Sequence, residues 1–164
     1  MTNNKNVSML ETATIIIKEF EGCYLSAYPD PLTGAKPITI GYGSTVKLDG
    51  TAWCMGNKIT KLEADSLLQN QLSHSYVSTL AKTIPNWDSL NYNQQAALVS
   101  FGYNLGAHFY GASNFNTITR VLHDSNYASV PKALLLYINP GSNVEEGLRR
   151  RRAAEGQLFM KPVS

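Results

Sequence analysis

EGCYLSAYPDPLTGAKPITIGYG, residues 21–43, is the stretch on which the fold turns. Residues 8–20 before it read as an amphipathic helix that Glu21 and Gly22 must bring to an end. The chain then passes Tyr24, Tyr28 and Asp30 to a turn at Thr33-Gly34. It returns through Ile38-Thr39-Ile40-Gly41-Tyr42-Gly43, apolar and β-branched enough for a short strand. Two carboxylates and a hydroxyl, Glu21, Asp30 and Thr39, thus fall on three successive pieces: helix end, first hairpin arm and second hairpin arm. Extended chain between them is long enough that spacing alone does not make them neighbours. A hairpin packed against the helix end would gather all three around one cleft.

Glycoside hydrolysis uses such a set: one carboxylic acid protonates the leaving oxygen, and a carboxylate on the opposite face activates water or attacks directly. Glu21 lies in the last turn of its helix, where the negative end of the macrodipole disfavours ionisation and suits an acid. Asp30, bracketed by Pro29 and Pro31, is under no such pressure, and Thr39 could orient the water. Taken singly, each residue has a plainer reading. A helix-ending Glu is usually solvated, an Asp between prolines is usually a turn former, and a strand Thr is usually there for its β-branch. The combination favours the catalytic reading. Glu19, about 200° round the helix from Glu21, reads as a solvent charge.

Phe20-Glu21-Gly22, then Ala27-Tyr28 with Asp30, then Thr39-Ile40-Gly41-Tyr42-Gly43, resembles the phage-type lysozymes of glycoside hydrolase family 24. The likeness continues in Ser100-Phe101 ahead of Asn104-Leu105-Gly106, and in Gly147-Leu148 with Arg151-Arg152 and Glu155. It spans roughly residues 8–160. The resemblance implies an α+β, mostly helical, lysozyme-like fold with a small N-terminal β-hairpin lobe and an all-helical C-terminal lobe. It implies one domain over 1–164, with the hairpin lobe at about 22–60 and a connecting helix at about 61–83. The helical lobe then takes about 84–164 and the N-terminal helix. Glu21 would be the acid, Asp30 the base directing water and Thr39 the water holder. The substrate implied is bacterial cell-wall peptidoglycan, cut with inversion at the β-1,4 link between N-acetylmuramic acid and N-acetylglucosamine. No metal or organic cofactor is implied. Tyr103 and Asn104 fall where the resemblance places the cleft wall and are candidate substrate-binding residues; for Asn104 a cap or core hydrogen bond is an equal reading. Two features depart from the pattern. The Asp30–Thr39 interval is longer than in simpler members, so the tip Pro31–Pro37 should bulge, and Ser44 follows Gly43 where many relatives have His.

At 164 residues the chain can bury a proper core as one domain, and 43% apolar content is that of a globular protein. A net charge of +2 permits attraction to an anionic wall without establishing it. MTNNKNVSML has no positive segment leading into an apolar core, so no secretory signal is expected, and Ile15-Ile16-Ile17 is far too short to span a membrane. A wall-degrading enzyme of this kind would gather in the host cytoplasm. It would reach the periplasm and wall once a membrane-permeabilising protein, a holin, lets it through, as phage endolysins do. A monomer without stable membrane insertion is expected. Cys23 and Cys54 are too few for a disulfide scaffold and read as free thiols, although a bridge between them would clamp the site region.

Outside the hairpin the chain reads as helices. Ser8-x-x-Glu11 is a capping box for the first, with Leu10, Ala13, Ile16, Ile17 and Phe20 as its buried face. Residues 45–58 are turn-rich, and Trp53 and Met55 there serve either packing or the cleft. Thr60-x-x-Glu63 starts the longest helix, 61–83, on which Leu68, Leu72, Tyr76 and Leu80 step by four and His74 faces solvent. Asn91 with Gln94 opens a largely apolar helix over 92–105 that Gly106 ends. Shorter helices follow at 116–124 and 128–138. The last helix, 145–159, carries Arg149-Arg150-Arg151-Arg152. Four consecutive residues fan through about 300°, so they cannot form one nucleic-acid-reading stripe, and at least one should face protein. Arg151 and Arg152 are spaced to pair with Glu155. Arg151 is the first choice for a contact supporting Glu21, which would orient the acid. Two other functions compete. A lytic transglycosylase needs an acid but no water-activating carboxylate, and a wall-binding or lysis-regulating protein needs neither. Asp30 and Thr39 argue against both, and a nucleic-acid binder rests on the arginine run alone.

Overall fold

The computed structural model describes residues 2–31 and 33–163. It is mostly helical, 58% helix, with one two-stranded antiparallel sheet. Helix α1 runs Thr2–Phe20, so the expected start at Ser8 is overturned: Ser8 lies inside the helix. No Gly or Pro interrupts 2–7, and Lys5 Nζ donates to the Asp88 carbonyl at 2.8 Å, anchoring the first turns. Met9, Ala13, Ile16 and Ile17 are buried; Leu10 and Phe20 are half-buried.

Strands β1 (Tyr24–Tyr28) and β2 (Thr39–Gly41) pair Tyr24 with Gly41 and Tyr28 with Thr39, so β1 carries an irregularity between its paired ends. The expected strand 38–43 is cut to three residues because Gly41 and Gly43 take φ of +67° and +100°. These glycines turn the chain back on itself, so that Ile40 and Ser44 exchange hydrogen bonds of 2.9 and 2.8 Å. The long Asp30–Thr39 interval is taken up at the tip. There Asp30 N donates to the Ala35 carbonyl (3.0 Å) and Gly34 N to the Asp30 carbonyl (2.7 Å). Leu32, within that tip, lies outside the described residues.

Thr60 and Glu63 form the expected capping box, and α2 (Lys61–Gln71) follows. The connecting helix continues as a π-helical segment, Leu72–Val77, and as α3 (Ser78–Thr83). Leu68, Leu72 and Leu80 are buried and Tyr76 is half-buried, as the step of four predicts; His74 is exposed. Helix α4 (Tyr92–Leu105) starts at the Asn91–Gln94 box and ends at Gly106. It is buried without a break from Gln95 to Gly102 and packs on α1 and α7, so it is the core of the helical lobe. Helix α5 spans Asn116–His123 and α6 only Val130–Leu134, shorter than the expected 128–138, because the chain passes into tight turns at Leu135–Tyr137. Helix α7, Glu145–Met160, closes the lobe. No helix among the described residues is long and apolar enough to cross a membrane.

Candidate active site

Glu21 is the first residue past α1, and its N–H still donates to the Ile17 carbonyl at 2.8 Å, so its place is set by the helix ladder. Its side chain is 27% exposed. Lys18, one turn earlier, pairs with Asp65 of α2 at 2.7 Å and lies over the Tyr42 ring, fastening the helix end to the hairpin lobe. Three phenols from three elements feel the charge of Glu21. Burial is the main force pushing Tyr28 (β1), Tyr76 (π segment) and Tyr103 (α4) above the usual tyrosine range, and the charge of Glu21 adds to each. Tyr28 relates the hairpin to the helix end: it is the cross-strand partner of Thr39 and stands two residues before Asp30. Asp30 and Thr39 are both half-buried, and the Thr39 hydroxyl donates to the Pro37 carbonyl at 3.3 Å.

A groove of about 910 Å³ runs between the end of α1 and the length of α7 from Glu146 to Gln157. Glu21, Asn104, Asn143, Arg150 and Arg151 are on its wall; Asp30 and Thr39 are not. The arginine run divides by direction. Arg149 lies outside, against Glu145 and Glu146 at 3.3 and 3.6 Å, and Arg150 lines the groove. Arg151 and Arg152 are buried. Arg151 Nη1 donates to Glu21 Oε1 at 2.7 Å, the contact expected of this residue, and the guanidinium lies 5.9 Å from the Phe20 ring. Arg151 also reaches Glu155 (Nε to Oε2, 3.3 Å) and the Ser100 carbonyl (3.1 Å). Arg152 pairs with Glu155 Oε1, donates to Asn104 Oδ1 and to the Tyr137 carbonyl, and lies 4.9 Å from the Phe101 ring. Burial pushes the Glu155 carboxyl up, opposed by Arg152, Ser100 and Arg151.

Asn104 therefore makes the hydrogen bond that one reading of its sequence position expects, and it also lines the groove. Tyr103 donates its hydroxyl to the Tyr42 carbonyl and sets its ring 5.1 Å from Tyr76. Trp53 donates to Ser44 Oγ at 3.1 Å and Met55 is 60% exposed, so Trp53 packs on the residue that stands in the family's His position. Cys23 and Cys54 are free thiols. Sequence reasoning missed the influence of Glu21 on Tyr76 and the Ser100 hydroxyl as a partner of Glu155 (2.6 Å). For Ser100 the signal was the Ser100-Phe101 motif; for Tyr76 there was none beyond the apolar stripe.

A small hairpin set against a helix-ending glutamate, with an all-helical lobe behind it, is the lysozyme type of fold. The phage lysozyme family model matches residues 18–155, and the chain belongs to that family. It is 37% identical over 151 residues to the endolysin of Lactococcus phage c2, covering 91% of this chain and 58% of that one. With the endolysin of Salmonella phage P22 it is 35% identical over 147 residues, covering 88% and 92%. The chain thus spans little more than half of the Lactococcus phage relative, yet nearly all of the Salmonella phage one. Among solved structures, the endolysin from Escherichia coli O157:H7 phage FAHEc1 superposes with a TM-score of 0.75 at 29% identity, covering 93% and 92% of the two chains. The muramidase domain of SpmX from Asticaccaulis excentricus gives 0.74 at 29%, covering 92% and 95%.

Proposed function

We propose that this chain is a peptidoglycan hydrolase, a muramidase that cuts the β-1,4 bond between N-acetylmuramic acid and N-acetylglucosamine as a phage or prophage endolysin. The observation that carries the reading is the placement of Glu21: a helix-end carboxyl held by Arg151 at 2.7 Å, three residues before the first strand of the hairpin that bears Asp30 and Thr39. Family membership and the names of its relatives support it.

In this reading Glu21 gives its proton to the glycosidic oxygen as the C1–O bond breaks. Asp30 takes a proton from the water that attacks C1 from the opposite face, and the Thr39 hydroxyl holds that water. Both protons are accounted for, and the new hemiacetal forms with inversion. Asn104 contributes to substrate binding. Arginine has no acceptor, so the bond from Arg152 fixes the amide oxygen inward and leaves the NH₂ as a donor for a sugar or acetyl oxygen. Tyr103 shapes the cleft wall. The chain would work as a single-domain monomer without metal or organic cofactor, gathering in the host cytoplasm and reaching the wall after a holin opens the membrane.

The test is clearing of purified cell walls by the protein beside Glu21→Gln, whose amide has no proton to give. The variant should fold and lose more than nine-tenths of the rate; a folded variant that keeps a tenth or more overturns the acid assignment. Product mass separates hydrolysis, which adds one water, from transglycosylase chemistry, which adds none.

A further inference from the structure

Glu155 is wholly buried, yet the chemistry proposed above gives it no part. Its Oε2 accepts from Ser100 Oγ at 2.6 Å and Arg151 Nε at 3.3 Å, while its Oε1 accepts from Arg152 Nη1. Each arginine presents another edge toward the groove. Arg151 Nη1 meets Glu21 at 2.7 Å, and Arg152 Nη2 meets Asn104 Oδ1. We propose that Glu155 is a positioning residue for the hydrolysis: one buried carboxylate fixes Arg151 against Glu21 and Arg152 against Asn104, and so sets two residues of the groove wall from behind. The inference rests on the reading of Glu21 as the acid.

Packing alone does not call for this arrangement. Burying charged groups carries a large desolvation cost, and well-packed apolar residues in their place are often as stable or more so. The guanidinium is a rigid planar fork, so fixing one edge fixes the other. Both forks converge on the same carboxylate, so a displacement of Glu155 would move Arg151 and Arg152 together. Charge points the same way. The chain Glu21–Arg151–Glu155–Arg152 alternates in sign, and the positive charge of Arg151 is divided between two carboxylates. The charge of Glu21 is also felt by Tyr28 from β1, Tyr76 from the π segment and Tyr103 from α4, all held above the usual phenol range chiefly by burial. Glu19, Glu146 and Arg150 share the groove wall. None of these stands between Arg151 and Glu21, so Arg151 is the route by which Glu155 acts.

Glu155→Gln keeps the volume and removes the charge; Ser100→Ala removes one donor and leaves both ion pairs. Turnover of a soluble wall fragment by Glu155→Gln should show kcat lowered about tenfold or more, through Glu21, with KM raised a fewfold through Asn104. A folded Glu155→Gln protein with kcat within twofold of native overturns the proposal; a fall in melting temperature alone makes the network structural. If Glu155→Gln does not fold, Ser100→Ala decides: about a threefold loss of kcat at unchanged KM supports the proposal, and unchanged kcat, or a change confined to KM, overturns it. Failure of the underlying reading is separate, since it would appear as a Glu21→Gln protein that still cleaves.

Discussion

The hydroxyl of Tyr103 donates to the backbone carbonyl of Tyr42, joining the last turn of α4 to the return strand across 61 residues of sequence. Thr39 stands three residues before Tyr42, and a Cβ on Gly43 would lie 3.4 Å from the same hydroxyl. The bond thus holds the second hairpin arm to the helical lobe. Tyr103→Phe keeps the ring against Tyr76 and strands the carbonyl. It should cost about 1 kcal/mol and lower the melting temperature by about 2–4 °C. A melting temperature equal to native would mean that the bond contributes nothing to lobe docking.

Thr60 accepts from Glu63 N at 3.1 Å while Glu63 returns a bond to Thr60 N, so one side chain starts the connecting helix. Thr60→Ala should cost about 1 kcal/mol by denaturant titration. Leu62→Ala, at a side chain 76% exposed on the same turn, should change stability by less than about 0.5 kcal/mol. Equal effects at the two sites would refute the capping assignment.

At the hairpin tip, Gly34 holds φ +69° and its N–H bonds the Asp30 carbonyl at 2.7 Å. A β-branched residue there is strained by about 1–2 kcal/mol and pulls on the backbone of Asp30. Gly56, at φ +94° in another turn, supplies the control. Gly34→Val should cut wall clearing at least about fivefold, whereas Gly56→Val should lower stability by a similar amount and leave clearing near native. Equal clearing by the two variants counts against a role for the tip in placing Asp30.

Four of the nine tyrosines, Tyr28, Tyr42, Tyr76 and Tyr103, are held above the usual phenol range chiefly by burial, Tyr42 up to about 12. The unfolded chain loses these protons near pH 10 and the folded chain later, so above pH 10 the unfolded state binds fewer protons and stability falls as pH rises. Between pH 10 and 12 Tyr42 alone should remove on the order of 2 kcal/mol. Absorbance titration of the folded protein should resolve an early and a late group of phenols; a single step near pH 10 would contradict the burial.

Much of this was legible because it is local. Thr60 with Glu63, Asn91 with Gln94, and Gly106 act within one turn of the elements they bound, and the helices begin and end where they stand. Ser8 with Glu11 has the same spelling and misled, because Lys5 reaches Asp88, 83 residues away, and carries the helix back past it. Arg151 could be named for Glu21 because four adjacent arginines must point in different directions and the family motif included two of them. Its pairing with Glu155 followed from the i,i+4 spacing, but its contact with Ser100 could not be named, since Ser100 lies 51 residues away and its place depends on how α4 turns against α7. The influence of Glu21 on Tyr28, Tyr76 and Tyr103 escaped for the same reason: they sit on three elements and carry no motif as a set.

The π-helical segment Leu72–Val77 has a consequence for how this protein can change length. From Leu68 to Leu80 the buried stripe takes twelve residues for three turns, where an α-helix needs about eleven. The wide π-helical turn takes up the extra residue locally rather than passing it on as a rotation. Removing one residue from Leu72–Val77 should therefore keep Leu68 and Leu80 on one face with an unbroken ladder between them. What would change is the local placement of Tyr76, whose phenol feels the charge of Glu21. Indel tolerance and active-site shape thus meet in the same turn of helix.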